Sequence, residues 1–181
     1  MDWKRRRGIE RLTNGILEIN TRRVPPIQIF NEIFEKHNIL FREISESDEF
    51  CGIFFVKGNK KGIIVNSNLY DRRRNFTIAH ELGHYFLDHP LGSSGTIICD
   101  TNAVFGSKKP EPEKEADYFA SCLLMPKEMV VAQYNNCKNS NTQLSISMND
   151  ESIKPQITNE LSDYFQVSKE SMGYRIDEIL K

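Results

Sequence analysis

The sequence predicts an α+β fold, a small antiparallel sheet packed on helices with a further helical region at the C-terminus. Three observations carry this. Residues rich in Ile, Phe and Val cluster in short stretches between 40 and 66. Apolar residues recur at helical spacing before and after that segment. Between Arg72 and Asp88 a run without internal proline, and with one glycine, is long enough for at least four helical turns.

The 181 residues are 39% hydrophobic and 27% charged, too apolar for a disordered chain and too polar for a membrane-embedded one. A net charge of −1 excludes a global electrostatic pull toward nucleic acid. The basic start, Lys4 to Arg7, is not followed by an uninterrupted apolar segment, and no run approaches membrane-spanning length. A cytoplasmic protein without a membrane partner is expected. Cys51, Cys99, Cys122 and Cys137 are too scattered for a zinc ribbon or redox pair and read as free thiols.

Residues 1–23 carry seven basic against three acidic residues, with Ile9, Leu12, Ile16 and Ile19 on one helical stripe, and are expected as a basic amphipathic helix. Pro25-Pro26 opens a second helix whose stripe is Ile27, Phe30, Ile33 and Phe34, ending near His37. Strands are expected at 40–44, 51–56 and 62–66, the last two joined by a turn at Lys57-Gly58-Asn59-Lys60-Lys61. The long helix at 72–88 follows, then a Gly- and Ser-rich excursion from Leu91 to Lys109 around the apolar piece Thr96 to Cys99. Pro112 starts another helix, with Ala116, Phe119, Ala120, Leu123 and Leu124 inside it and Pro126 as its stop. Residues 24–135 are thus one core; 136–156, rich in Asn, Ser and Thr, are expected as a linker or mobile loop; 157–181 form two short helices.

Within the long helix stands His80-Glu81-Leu82-Gly83-His84. At about 100° per residue, His84 projects about 40° and Glu81 about 100° from His80. Two imidazoles converging on one point beside a carboxylate are the arrangement for two nitrogen ligands on Zn2+ and a general base. Gly83, next to the histidine face, predicts close approach of another element.

A water-activating zinc needs a third protein ligand. His89 fails as that ligand, because the extended pattern would put glycine and histidine where Leu87 and Pro90 stand; it reads as a polar residue at the helix end. Glu113 and Asp117 share a helix face with Ala116 and Ala120, while Glu115 points away. Small residues let that face pack closely on the histidine helix. Glu113 is therefore expected as the third ligand and Asp117 as the acceptor for an imidazole N–H. Glu111 and Glu115 read as a solvated acidic helix start.

Three ordered segments, Phe76-Thr77-Ile78-Ala79-His80-Glu81-Leu82-Gly83-His84, Glu113-Lys114-Glu115-Ala116-Asp117-Tyr118-Phe119-Ala120 and Leu123-Leu124-Met125-Pro126, together resemble the signatures of the ImmA/IrrE metallopeptidases. The resemblance covers about residues 25 to 181. It implies a zincin-like, gluzincin-type zinc endopeptidase, bacterial or carried by a mobile element, that cleaves a helix-turn-helix repressor and derepresses its genes. It also implies His80, His84 and Glu113 as zinc ligands and Glu81 as base. An oxyanion donor is expected as well, with Tyr70, Tyr85, Tyr118 and Tyr134 all open.

Residues 161–175 look like a helix-turn-helix, with Ser168 capping the second helix. Gln166 stands where glycine is usual at the turn, and 157–181 hold three basic against five acidic residues, so direct DNA binding is not expected there. Two other functions on the same scaffold are a catalytically silent regulator that binds a repressor or DNA, and a toxin-like half of a toxin–antitoxin pair. Glu81 separates the first of these from a peptidase, since a binding module has no need of it.

Overall fold

A computed structural model describes residues 1–18, 29–100, 109–144 and 150–180, excepting the side chains of 98–100, 141–144 and 150–152. Among these residues are seven helices, α1 (Trp3–Leu17), α2 (Phe30–His37), α3 (Asp71–Phe86), α4 (Glu111–Leu124), α5 (Lys127–Leu144), α6 (Asp150–Phe165) and α7 (Lys169–Ile179). Four strands, β1 (Ile39–Ile44), β2 (Phe50–Lys57), β3 (Lys60–Asn66) and β4 (Thr96–Asp100), form one sheet in the order β1-β3-β2-β4.

The sheet is mixed, which corrects the antiparallel expectation: β2 runs antiparallel to β3 and β4, but β1 runs parallel to β3. The cause is the short β1–β2 connection. It passes over the end of β3, where buried Asn66 holds it by donating from Nδ2 to the carbonyls of Glu46, Ser47 and Phe50 and accepting at Oδ1 from the Glu46 amide. One side chain thus satisfies backbone groups that the crossing takes out of the ladder. The apolar piece at 96–99 is the start of edge strand β4. Gly95 turns the chain into it at φ 75, with no room for a Cβ beside the Val56 carbonyl.

Helices cover one face of the sheet. Phe34 of α2 stacks on Phe41 of β1, with ring centroids 4.8 Å apart. Phe54, Ile63 and Val65 from the strands are buried in one core with Ile78, Ala79 and Leu82 of α3 and Phe119 and Leu123 of α4. Next to α4 lies α1, which buries Ile9, Thr13 and Leu17; Thr13 hydroxyl hydrogen bonds to Ile9 and Glu10 carbonyls make its burial inexpensive. Pro25-Pro26, Ile27 and Ile19, expected in the first two helices, lie outside the described residues.

The stretch 136–156 is not a linker where it is described. Helix α5 continues to Leu144 and α6 begins at Asp150. Polar composition hid a stripe at i, i+4, i+7 formed by Val130, Tyr134 and Cys137, which sits in or against the core. Helices α6 and α7 meet at a three-residue turn in which Gln166 takes the left-handed conformation, φ 54, usual for glycine. Ser168 caps α7 by accepting from the Ser171 amide, and Arg72 of α3 ties the turn to the core by donating to the Ser162 hydroxyl and Val167 carbonyl.

The close approach expected at Gly83 is between α3 and α4: a Cβ there would lie 3.0 Å from Ala116 Cα and 3.1 Å from its carbonyl oxygen. Gly83→Val should therefore force the two helices apart and lower stability by about 1–3 kcal/mol, measured by thermal unfolding of the metal-free chain. An unchanged melting temperature would show that the helices are not held at this separation.

Candidate metal centre

Helix α3 carries both histidines and ends by a device that shapes the site. Asp88 adopts φ 53, its amide donates to the Tyr85 carbonyl, and the His89 amide donates to the His84 carbonyl at 3.1 Å. This is a Schellman closure with aspartate in the position glycine usually fills. It folds His89 back over the last turn of the helix, where its side chain is buried.

Packing of α4 on α3 brings Glu113 to the imidazole pair. His80 Nε2 and His84 Nε2 are 3.0 Å apart, and the Glu113 carboxylate lies 3.2 Å from the first and 3.3 Å from the second. Ligand atoms around a tetrahedral cation at bond lengths near 2.05 Å would be about 3.3 Å apart, so this spacing fits one divalent ion. Among the described residues, His80, His84 and Glu113 are the group of three whose donor atoms all lie together in this way. Neither Glu81 oxygen has a hydrogen-bond partner, and Glu113 Oε2, despite its proximity to His80, makes no hydrogen bond of its own. A bound cation with its water is one way such buried acceptors are satisfied, so the donor set fits a metal.

Electrostatics agree. Burial alone would lower the His80 imidazole, but Asp117, Glu113 and Glu81 together raise it to about 9, a measure of how strongly the pocket attracts positive charge. Burial lowers His84. Glu113 is held well below the usual carboxylate range, since the two imidazoles outweigh the opposing effect of burial. Burial pushes Glu81 up to about 8, opposed by His80 and weakly by the Phe54 backbone and reinforced by the Glu113 charge.

Asp117 accepts from His80 Nδ1 at 2.9 Å and also pairs with Lys109. In the metal-free site His80 can thus donate to both carboxylates, and with Nδ1 held by Asp117 it is the Nε2 proton, facing Glu113, that a cation would displace. All five side chains expected at the site, His80, Glu81, His84, Glu113 and Asp117, are brought together.

Three further residues were not legible as part of it. Gly52 of β2 makes room for Glu81, since a Cβ there would lie 3.1 Å from Glu81 Oε1 and 2.7 Å from Thr77 Cγ2; a lone glycine inside an apolar strand was the available signal. His89 is in hydrogen-bond contact with His84, Nδ1 to Nδ1, at 2.9 Å. Glu115 is not solvated as expected: its side chain is 14% exposed and receives Arg5 of α1 and His89. Of the tyrosines left open as oxyanion donors, Tyr85 accepts from Lys61 and Tyr118 donates to Glu10, so both hydroxyls are engaged away from the triad.

Among the described residues, no helix is long and apolar enough to cross a membrane. The "Uncharacterized immunity region protein 2" of Bacillus phage phi105 is 39% identical over 88 residues, which span 49% of this chain and about half, 52%, of that protein. A solved structure titled "Mycobacterium tuberculosis transcriptional regulator" superposes with a TM-score of 0.57 at 15% identity, over 94% of this chain and 46% of that one, a likeness of fold. The family model described as the IrrE N-terminal-like domain, Peptidase M78, matches residues 22–177, a span that contains α2 through most of α7 and all three residues that could hold a metal ion. The chain belongs to this M78 peptidase family.

Proposed function

We propose that the chain is a zinc-dependent endopeptidase of the gluzincin type, with His80, His84 and Glu113 as ligands, Glu81 as general base and Asp117 as the partner that orients His80. The observation that carries this is Glu81: a fully buried carboxylate with neither oxygen hydrogen-bonded. Such a group is costly to fold around, and a silent binding module would gain nothing from it.

A divalent cation at the triad would supply Lewis acidity, acidifying a water and polarising a carbonyl. Glu81, buried beside His80, would accept a proton from the attacking water at a carboxylate oxygen and return it to the leaving amine. Burial raises its proton affinity above that of an ordinary carboxylate in the metal-free site, and a bound cation would draw it back toward the ionised form that accepts the proton. His80 is kept in the Nδ1–H form by Asp117, so its Nε2 stays available.

The substrate class proposed is a helix-turn-helix repressor, cleaved so that its genes are derepressed, in a bacterial cytoplasm or on a mobile element. Support comes from the relative named for a phage immunity region and from the transcriptional-regulator fold neighbour. Incubating the purified chain with candidate helix-turn-helix repressors from the same genome, with and without a chelator, tests this. Fragments that appear only without chelator, identified by mass spectrometry, are the expected result; an intact repressor under every metal condition would contradict it.

A further inference from the structure

We propose that His89 is a positioning residue of the metal centre, fixing the tautomer and orientation of His84, and that Glu115 and Arg5 hold His89 in turn. The inference rests on the metal-binding reading of His80, His84 and Glu113.

Each link dictates the next. For His84 Nε2 to offer a lone pair to a cation, the ring proton must sit on Nδ1 and be donated. The acceptor in reach is His89 Nδ1, 2.9 Å away, so that nitrogen must be unprotonated. The His89 proton then lies on Nε2, which faces Glu115 Oε2 at 3.1 Å. Glu115 is locked by a two-point contact with Arg5, Nε to Oε1 at 2.8 Å and Nη2 to Oε2 at 2.6 Å. The donors and acceptors alternate without conflict from α1 to the metal centre.

His80 and His84 are thereby served in parallel ways. A carboxylate, Asp117, orients the first directly; a carboxylate, Glu115, orients the second through an interposed imidazole. Schellman closures commonly bring the residue after the left-handed position against the one five before it in an apolar contact. Here those two residues are His89 and His84, and the contact is a hydrogen bond. The basic helix α1, which its sequence offers as a solvated face, supplies the last member of the chain.

Zinc affinity of the metal-stripped chain, measured by competition with a chromophoric chelator, and the visible absorption of the cobalt(II)-loaded chain test this. The unaltered chain should bind one zinc and His80→Ala should lose it; if the unaltered chain takes up none, the metal-binding reading falls and the proposal with it. Given that binding, His89→Leu should weaken affinity about 10–100-fold and shift the cobalt bands. His89→Gln, whose amide can accept and donate, should restore most of both. Glu115→Ala should weaken affinity in the same direction with one site retained, and serves should His89→Leu fail to fold. Unchanged affinity and cobalt spectrum in His89→Leu or, where that variant does not fold, in Glu115→Ala would overturn the proposal, as would equal impairment by leucine and glutamine.

Discussion

Replacing Glu81 with glutamine is expected to leave zinc content unchanged while lowering peptide-bond hydrolysis by about 10²–10⁴-fold, the usual contribution of a positioned general base. Glutamine fills the same space beside Gly52 and Thr77, so shape is conserved and only proton transfer is lost. The same substitution has a second, independent readout in the metal-free protein. Burial raises Glu81 from 4.5 to about 8. Between those values the folded state holds a proton that the unfolded chain has released, so Glu81 makes stability fall as pH rises, by up to about 1.4 kcal/mol per unit, and the fall levels off above pH 8. Glu81→Gln should remove that component. Denaturant melts of both metal-free chains from pH 5 to pH 8 should therefore diverge, the variant gaining relative to the parent. Parallel curves would mean that the carboxylate is not buried as described, and retained hydrolysis would remove it from the mechanism.

Glu113→Ala is expected to weaken zinc binding by more than 100-fold, beyond the range for residues that only support a ligand. It removes the single contribution of α4 to the triad and leaves two imidazoles, which cannot by themselves hold a catalytic zinc. Hydrolysis should fall with occupancy, and the loss should be partly recovered at saturating zinc if positioning survives. Competition titration against the same chelator used for the parent provides the measurement; an affinity within a few-fold of the parent would show that another group supplies the third donor.

Much of this centre is legible in the sequence, because its parts obey local rules. Helical periodicity placed His80 and His84 on one face, and a glycine at 83 opposite alanines at 116 and 120 predicted which helix would approach. The contact of Gly83 with Ala116 is where those two expectations meet. What escaped depends on backbone closures and long-range pairings that periodicity does not encode. His89 joins the site through the left-handed turn at Asp88, and aspartate gives a weaker signal for that turn than glycine. Glu115 lies on the far side of α4 from Glu113 in a helical projection, and only the packing of α1 and the return of His89 give it partners. The parallel placement of β1 followed from the crossing that Asn66 secures, and no alternation of apolar residues distinguishes that from a meander.

His80, His84 and Glu113 are expected to hold one divalent ion between them. Anomalous diffraction from crystals of the zinc-loaded chain, collected on both sides of the zinc absorption edge, tests it most directly. One strong peak should lie about 2.0–2.2 Å from His80 Nε2, His84 Nε2 and a Glu113 oxygen, with Asp117 and His89 outside bonding distance. A peak elsewhere, or bound to the imidazoles with Glu113 turned away, would contradict it.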